Sequence, residues 1–107
     1  MSSGSSPRRA GVVSVVLVNF RGTDDTIEAV DRLEEVDWNR DLLEIIVVEN
    51  ASGDDSAARL RASLGDRITL VESDTNRGFT GGCNLGVAHT TGEFVAFLNN
   101  DAKPDTG

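Results

Sequence analysis

Asn99-Asn100-Asp101 closes an apolar run and stands three residues ahead of Pro104. A hard divalent cation such as Mg²⁺ is commonly held by one or two carboxylates, with substrate phosphate oxygens completing its shell, so Asp101 alone is a sufficient protein ligand. Asn100 would add a neutral oxygen or a hydrogen-bond partner. The same three residues also suit a polar turn before the proline, which asks nothing of a metal. Other apolar runs end in amides or carboxylates too: at Asn19, at Glu49-Asn50, and through Asp74 to Asn76. Then comes "RGFTGGCNLG", where Gly78, Gly81 and Gly82 permit positive φ and close approach of backbone to a ligand. With Gly86 they lower local helix propensity. A tight structural turn would use them equally well.

These groups act together only if the fold brings them to one edge. "VVSVVLVNF" (12–20) and "LLEIIVVEN" (42–50) are nearly continuous apolar runs, the pattern of strands buried on both faces. "RITLVES" (67–73) and "EFVAFLN" (93–99) complete a set of four strands. Between the first two, Ile27, Val30 and Leu33 repeat at helical spacing behind Thr23 to Asp25, with Asp25 and Glu28 in capping-box positions. Ser52, Asp54 and Asp55 open a second helix, whose stripe is Ala57, Leu60 and Leu64 and whose end is Gly65. A glycine-rich loop follows the third strand and leads into a short helix around 84–89. Alternating strands and helices imply an α/β fold, a mostly parallel sheet with helices on both faces. In such sheets ligands sit outside the carboxyl ends of the strands, where all these polar endings fall.

Composition narrows the ligand. One domain fits 107 residues, and 38% hydrophobic with 26% charged residues is the balance of a soluble globular chain. A formal charge of −8 argues against nucleic acid, whose binding relies on Lys and Arg neutralising phosphates. A local anion site stays open if a metal or backbone amides supply positive potential. "NFRGTDD" lacks the dinucleotide fingerprint G-x-G-x-x-G, and no phosphate-loop signature occurs. Cys83 is the only cysteine, which excludes an intramolecular disulfide or a multi-cysteine metal site and suits a reducing cytoplasm. Residues 1–11 read as a disordered leader without an apolar signal region. No apolar run approaches the ~20 residues of a membrane span. His89 reads as a surface or capping residue, Cys83 as a small buried side chain, and Trp38 as cover for a core edge. Arg77 suits a phosphate contact or a solvated loop charge, and Asp24, Asp25, Asp54 and Asp55 suit helix caps.

Taken together, "VSVVLVNFRG", "IIVVENASGDDS", "NRGFTGGCNLGV" and "FVAFLNNDAKPD" resemble the N-terminal half of family 2 glycosyltransferases, over about residues 12–105. The glycine-rich version with "LNND" looks most like bacterial enzymes that transfer rhamnose, galactofuranose or similar sugars into cell-wall and surface polysaccharides. The resemblance implies the GT-A fold, a Rossmann-like sheet in the order β-α-β-α-β-α-β that stops here after the D-x-D-type strand. It implies that Asn19, Glu49 and Asn50 hold the base and ribose of a nucleoside-diphosphate sugar. Where the family often has two aspartates, this chain has Glu49-Asn50. The segment Asn76 to Asn84, with Gly78, Gly81 and Gly82, would lie close to the donor. Asn99-Asn100-Asp101 takes the D-x-D place, with Asp101 as ligand to Mg²⁺ or Mn²⁺, and with Asn99 and Asn100 orienting ribose or donor sugar.

The implied reaction is inverting transfer to a hydroxyl of a glycan or lipid-linked acceptor; the expected location is the cytoplasm, with the inner face of the membrane as the alternative for a full-length protein. The family's catalytic base lies downstream of the D-x-D strand, so no residue up to Gly107 is assigned as the base. The chain is accordingly expected to be the donor-binding half (residues 12–107), inactive alone. The alternative is a non-catalytic nucleotide-binding or interaction module on the same half-sheet, able to self-associate through an exposed edge strand.

Overall fold

A computed structural model describes residues 8–35 and 40–98. Most of the leader, Val36, Trp38 and the sequence Asn99-Asn100-Asp101 lie outside the described residues. The elements are β1 (Arg9–Asn19), α1 (Thr23–Glu35), β2 (Leu43–Glu49), α2 (Ser56–Leu64), β3 (Thr69–Glu72), α3 (Gly78–Val87) and β4 (Gly92–Leu98). Short 3₁₀ turns at Arg40–Leu42 and Gly65–Arg67 lead into β2 and β3. All strands pair in parallel in the order β3-β2-β1-β4. The α/β architecture read from the apolar runs is the one observed.

The runs of β1 and β2 are continuous because both faces of these central strands are covered. Successive strand residues point to opposite faces. Val15, Leu17, Ile45 and Val47 therefore meet Val30 of α1 and Leu60 and Leu64 of α2. Val16, Val18, Ile46 and Val48 face the other way, with Val71 and with Cys83 of α3. Each such side chain contributes about 1.5–3 kcal/mol when fully buried.

Three local readings need correction. The strand starts at Arg9 rather than Val12, because Arg9 pairs with Gly92 and its backbone N–H donates to the Thr91 carbonyl at 2.8 Å. Asp24 and Asp25 lie inside the first turn of α1 rather than ahead of it, and Thr26 N–H closes that turn on the Gly22 carbonyl at 2.9 Å. Carboxylates there suit the positive end of the helix dipole.

The largest difference concerns the glycine-rich segment, which is helix from Gly78 onward and not a loop. Its glycines reduce propensity but let α3 approach the sheet closely. A Cβ at Gly82 would stand 2.9 Å from Val18 Cγ1, and one at Gly86 would stand 2.5 Å from Val16 Cγ1. Burial against the sheet outweighs a propensity cost of ~1 kcal/mol per glycine. Only Gly78, with φ +71°, uses the left-handed freedom expected of this group.

At the amino ends of the strands a polar clasp joins β1, β2 and β4. The buried Ser14 hydroxyl donates to Glu44 Oε1 at 2.5 Å and accepts the Gly92 N–H at 2.9 Å. Glu44 also accepts the Thr91 N–H at 2.8 Å and faces Arg9 at 3.4 Å. The chain then reverses direction across the sheet. From β1 it runs outward to β3, and α3 carries it back to β4 on the other side of β1. The switch point lies between β1 and β4, with its crevice above their carboxyl ends.

Candidate functional site

Asn19 of β1 and Glu49 of β2 are register partners, which sets them level at the carboxyl edge, and Asn50 follows directly. All three are buried, at 0%, 6% and 1% exposure. Buried polar groups must find partners, and these find one another. Asn19 Nδ2 donates to Glu49 Oε1 at 3.0 Å, while Asn19 Oδ1 accepts the Thr26 hydroxyl at 2.7 Å. Glu49 Oε2 accepts the Ser52 N–H at 3.0 Å, and Glu49 Oε1 takes the Ser52 hydroxyl. Ser52 Oγ accepts the Arg21 N–H at 2.8 Å, and the Ser52 carbonyl accepts Arg21 Nε at 3.1 Å. The loops leaving β1 and β2 are thus tied together over the strand ends.

Both loops leave through a left-handed residue, Arg21 at φ 61° and Ala51 at φ 62°. Neither is glycine, so each carries a conformational cost of about 1–2 kcal/mol. The hydrogen bonds around Ser52 hold that geometry. Phe20 is exposed beside them, with the Arg21 guanidinium 4.9 Å from its ring centre. Sequence reasoning did not select this pair. Its signal was an aromatic residue at the exit of a buried strand, followed by Arg and Gly.

Asn50 connects the same edge to α3. Its Nδ2 donates to the Gly78 carbonyl at 3.0 Å, and its Oδ1 accepts the Arg77 N–H at 3.0 Å. Asn76 Oδ1 accepts the Gly78 N–H at 2.8 Å. Arg77 Nε donates to Ser73 Oγ at 2.9 Å, so the turn itself engages this guanidinium. Gly82 of α3 is buried against the sheet, Gly81 is half-buried, and Asn76, Gly78 and Asn84 are exposed. The fold therefore gathers Asn19, Glu49, Asn50, Asn76 and Gly78 at one edge. Gly81, Gly82 and Asn84 extend along the helix that leaves it.

Asn99, Asn100 and Asp101 lie outside the described residues. The strand before them points to this edge, since Leu98 pairs in parallel with Leu17, two residues short of Asn19. Among the described residues no group of three His, Cys, Asp or Glu side chains could hold a metal. Glu49 is largely engaged within the protein, with Oε1 accepting from Asn19 and the Ser52 hydroxyl and Oε2 from the Ser52 N–H.

The other singled-out residues are structural. Asp55 is the N-cap residue of α2 without a side-chain capping bond, while Asp54, one residue earlier, accepts the Ser56 N–H at 2.9 Å. The Ser56 hydroxyl, then its N–H, hold the Asp54 carboxyl below its ordinary value. His89 is exposed, with Nδ1 3.1 Å from the Leu85 carbonyl. Cys83 is buried, and burial pushes its thiol up.

The chain as a whole is similar to known proteins. The profile of the family described as Glycosyl transferase family 2 matches residues 14–107. The succinoglycan biosynthesis protein ExoO of Rhizobium meliloti is 27% identical over 95 residues, covering 87% of this chain and 27% of that protein. Glycosyltransferase AglE of Haloferax volcanii is 23% identical over 94 residues, covering 86% of this chain and 31% of the relative. The chain thus spans between 27% and 31% of the length of these curated relatives. Among solved structures, a mannosyltransferase from Pyrobaculum calidifontis in complex with GDP-Man and Mn²⁺ superposes with a TM-score of 0.79 at 30% identity, covering 91% of this chain and 30% of that one. Staphylococcus aureus TarS shares the fold, with a TM-score of 0.67 at 24% identity over 84% of this chain and 16% of that one. The match takes in β1 from Ser14 onward and every later strand and helix, so the chain belongs to glycosyl transferase family 2.

Proposed function

We propose that this chain is the nucleotide-sugar-binding half of a metal-assisted glycosyltransferase. The observation that carries the reading is the shared edge. Two left-handed loops and the start of α3 are locked around Asn19, Glu49 and Asn50, at the carboxyl ends of a parallel sheet. A TM-score of 0.79 to a protein complexed with GDP-Man and Mn²⁺ supports the choice of ligand. Phe20 and Arg21 would offer the base a flat stacking surface, worth about 1–3 kcal/mol per stacked base. Asn76, Gly78 and Asn84 would flank the donor, with Asn99 and Asn100 beside the sugar.

Asp101 is proposed as the protein ligand of Mg²⁺ or Mn²⁺. When bound, such a cation neutralises charge on the departing diphosphate. The residues of this chain bind and orient the donor, and none of them is assigned as the base that activates the acceptor hydroxyl. We further propose inverting transfer in surface-polysaccharide or cell-wall synthesis, with a glycan or lipid-linked acceptor on the cytoplasmic side. No helix among the described residues is long and apolar enough to cross a membrane.

Titration calorimetry with UDP, GDP and dTDP, with and without Mn²⁺, tests the reading. Binding of one diphosphate that requires the metal and disappears in Asp101→Ala is the expected result. A folded chain that binds none of the three contradicts it.

One observation favours a second reading, an interaction module. Phe94 and Phe97 are 55% and 51% exposed on β4, one of the two edge strands among the described residues. Edge strands with apolar side chains pair readily with another chain. Under this reading sedimentation shows concentration-dependent dimers that Phe97→Lys abolishes; a monomer at all concentrations removes it.

A further inference from the structure

We infer that Asn50 is a positioning residue whose carboxamide clamps the first turn of α3 to the end of β2. The family resemblance assigned this residue to the donor, but both ends of its amide are engaged within the protein. Nδ2 donates to the Gly78 carbonyl and Oδ1 accepts the Arg77 N–H, each at 3.0 Å, in a side chain only 1% exposed. The two backbone groups are a donor and an acceptor on adjacent residues. A carboxamide serves both at once, whereas a carboxylate only accepts and an aliphatic side chain does neither.

Two local bonds, the Gly78 N–H to Asn76 Oδ1 at 2.8 Å and Arg77 Nε to Ser73 Oγ at 2.9 Å, shape this turn, but the Asn50 amide ties it to β2. The Arg77 side chain makes no capping hydrogen bond to α3, and Gly78 stands at φ +71°, which glycine adopts readily. A Cβ at Gly82 would stand 3.3 Å from Asn50 Nδ2, so helix and amide stay in register through the next turn. On the other side, the Asn50 N–H donates to the Asn19 carbonyl at 2.8 Å, which joins the clamp to β1. The segment 76–78 is thereby tied to the carboxyl ends of β2 and β1. The consequence for ligand binding rests on the donor reading above: Asn50 acts on the donor through α3 and not by reading the base. The clamp itself does not rest on that reading.

Asn50→Asp keeps the size and changes the hydrogen-bonding pattern. Ionised, its carboxylate accepts from Arg77 but repels the Gly78 carbonyl. Protonated, it donates to that carbonyl and restores both bonds. A buried carboxyl facing a carbonyl has its folded pKa raised above the unfolded value of ~3.9. The variant's deficit is therefore absent below that value and grows as pH rises through the folded one.

Amide hydrogen exchange on the 107-residue chain, compared with the parent at each pH, reads this directly. At pH 7 residues 77–82 of Asn50→Asp should exchange about tenfold faster than in the parent, as loss of a buried hydrogen bond allows. The ratio should return to about one near pH 4, while Asn50→Leu stays fast at both values. Parent-like exchange at pH 7, a ratio that ignores pH, or acceleration spread evenly over the sheet overturns the clamp. If Asn50→Asp fails to fold at pH 7, recovery of the fold on acidification supports the clamp and its failure to recover overturns it. Exchange needs no ligand, so a parent chain that binds no nucleoside diphosphate removes only the donor reading.

Discussion

Glu44 and Glu49 stand near opposite ends of β2, and each takes a serine hydroxyl on one carboxylate oxygen. At the amino end, Ser14, Thr91 and Arg9 close around Glu44 and fasten β4 to β1. Every partner there is a strand residue or its neighbour, and the cluster ends in itself. At the carboxyl end, Glu49 and Ser52 support two left-handed turns, and beyond them stand an exposed ring and a cation. Similar side chains thus do different work at the two ends. Below they join strands; above they hold loops in conformations the backbone would otherwise avoid. A polar group in a buried strand signals a site only where it shapes something that faces outward.

Variants at the two ends should separate stability from ligand binding. Glu49→Ala strips the Asn19 amide and both Ser52 donors of their acceptor, and we expect a loss of about 2–4 kcal/mol in urea unfolding together with loss of nucleoside-diphosphate binding. Ser14→Ala leaves the Gly92 N–H without its acceptor. It should cost about 1–3 kcal/mol while diphosphate titrations of the folded variant match the parent. If Ser14→Ala weakened binding as much as Glu49→Ala did, the division between the two ends would fail.

Smaller effects sharpen the contrast. Burial pushes the Glu44 carboxyl up, but the Ser14 hydroxyl, the Thr91 N–H and hydroxyl, and the Arg9 charge outweigh it and hold the carboxyl below its ordinary value. A depressed folded pKa stabilises above the unfolded value of ~4.3, and that stability is lost as pH falls through the folded one. Glu44→Gln should therefore be less stable than the parent at pH 7 and show a flatter acid limb below pH ~5, checked by urea midpoints across pH. An unchanged acid limb would deny the clasp its charge. The smallest effect is stabilising. Ala51→Gly relieves a left-handed alanine but adds unfolded-state freedom, for a net gain of a few tenths of a kcal/mol, roughly. A loss in thermal unfolding would show that Ala51 is not strained.

Much of the fold was legible because its two-layered core writes continuous Val and Ile runs into 12–18 and 45–48. The glycine segment was not legible as helix, since propensity is local and the close approach of Gly82 and Gly86 to Val16 and Val18 is tertiary. Polar strand endings pointed to one edge, and Asn19, Glu49 and Asn50 do meet there. Their hydrogen bonds were out of reach of spacing, so Asn50 read as a ligand group rather than as an anchor for Arg77 and Gly78. Arg21 and Ala51 escaped notice because neither type announces a left-handed residue. The Ser14–Glu44 pair left a trace, one polar residue inside each apolar run, but parallel pairing was needed to set the two side by side.

Paramagnetic Mn²⁺ offers the most direct test of the donor edge. In ¹⁵N–¹H spectra of the chain with a saturating nucleoside diphosphate, added Mn²⁺ should broaden amides of 20–22, 50–52 and 76–79. Amides of 11–14, 44 and 91–93, at the other end of the strands, should stay sharp. Broadening that favours the Glu44 end, or that spreads evenly over the molecule, would contradict a donor site above Asn19 and Glu49.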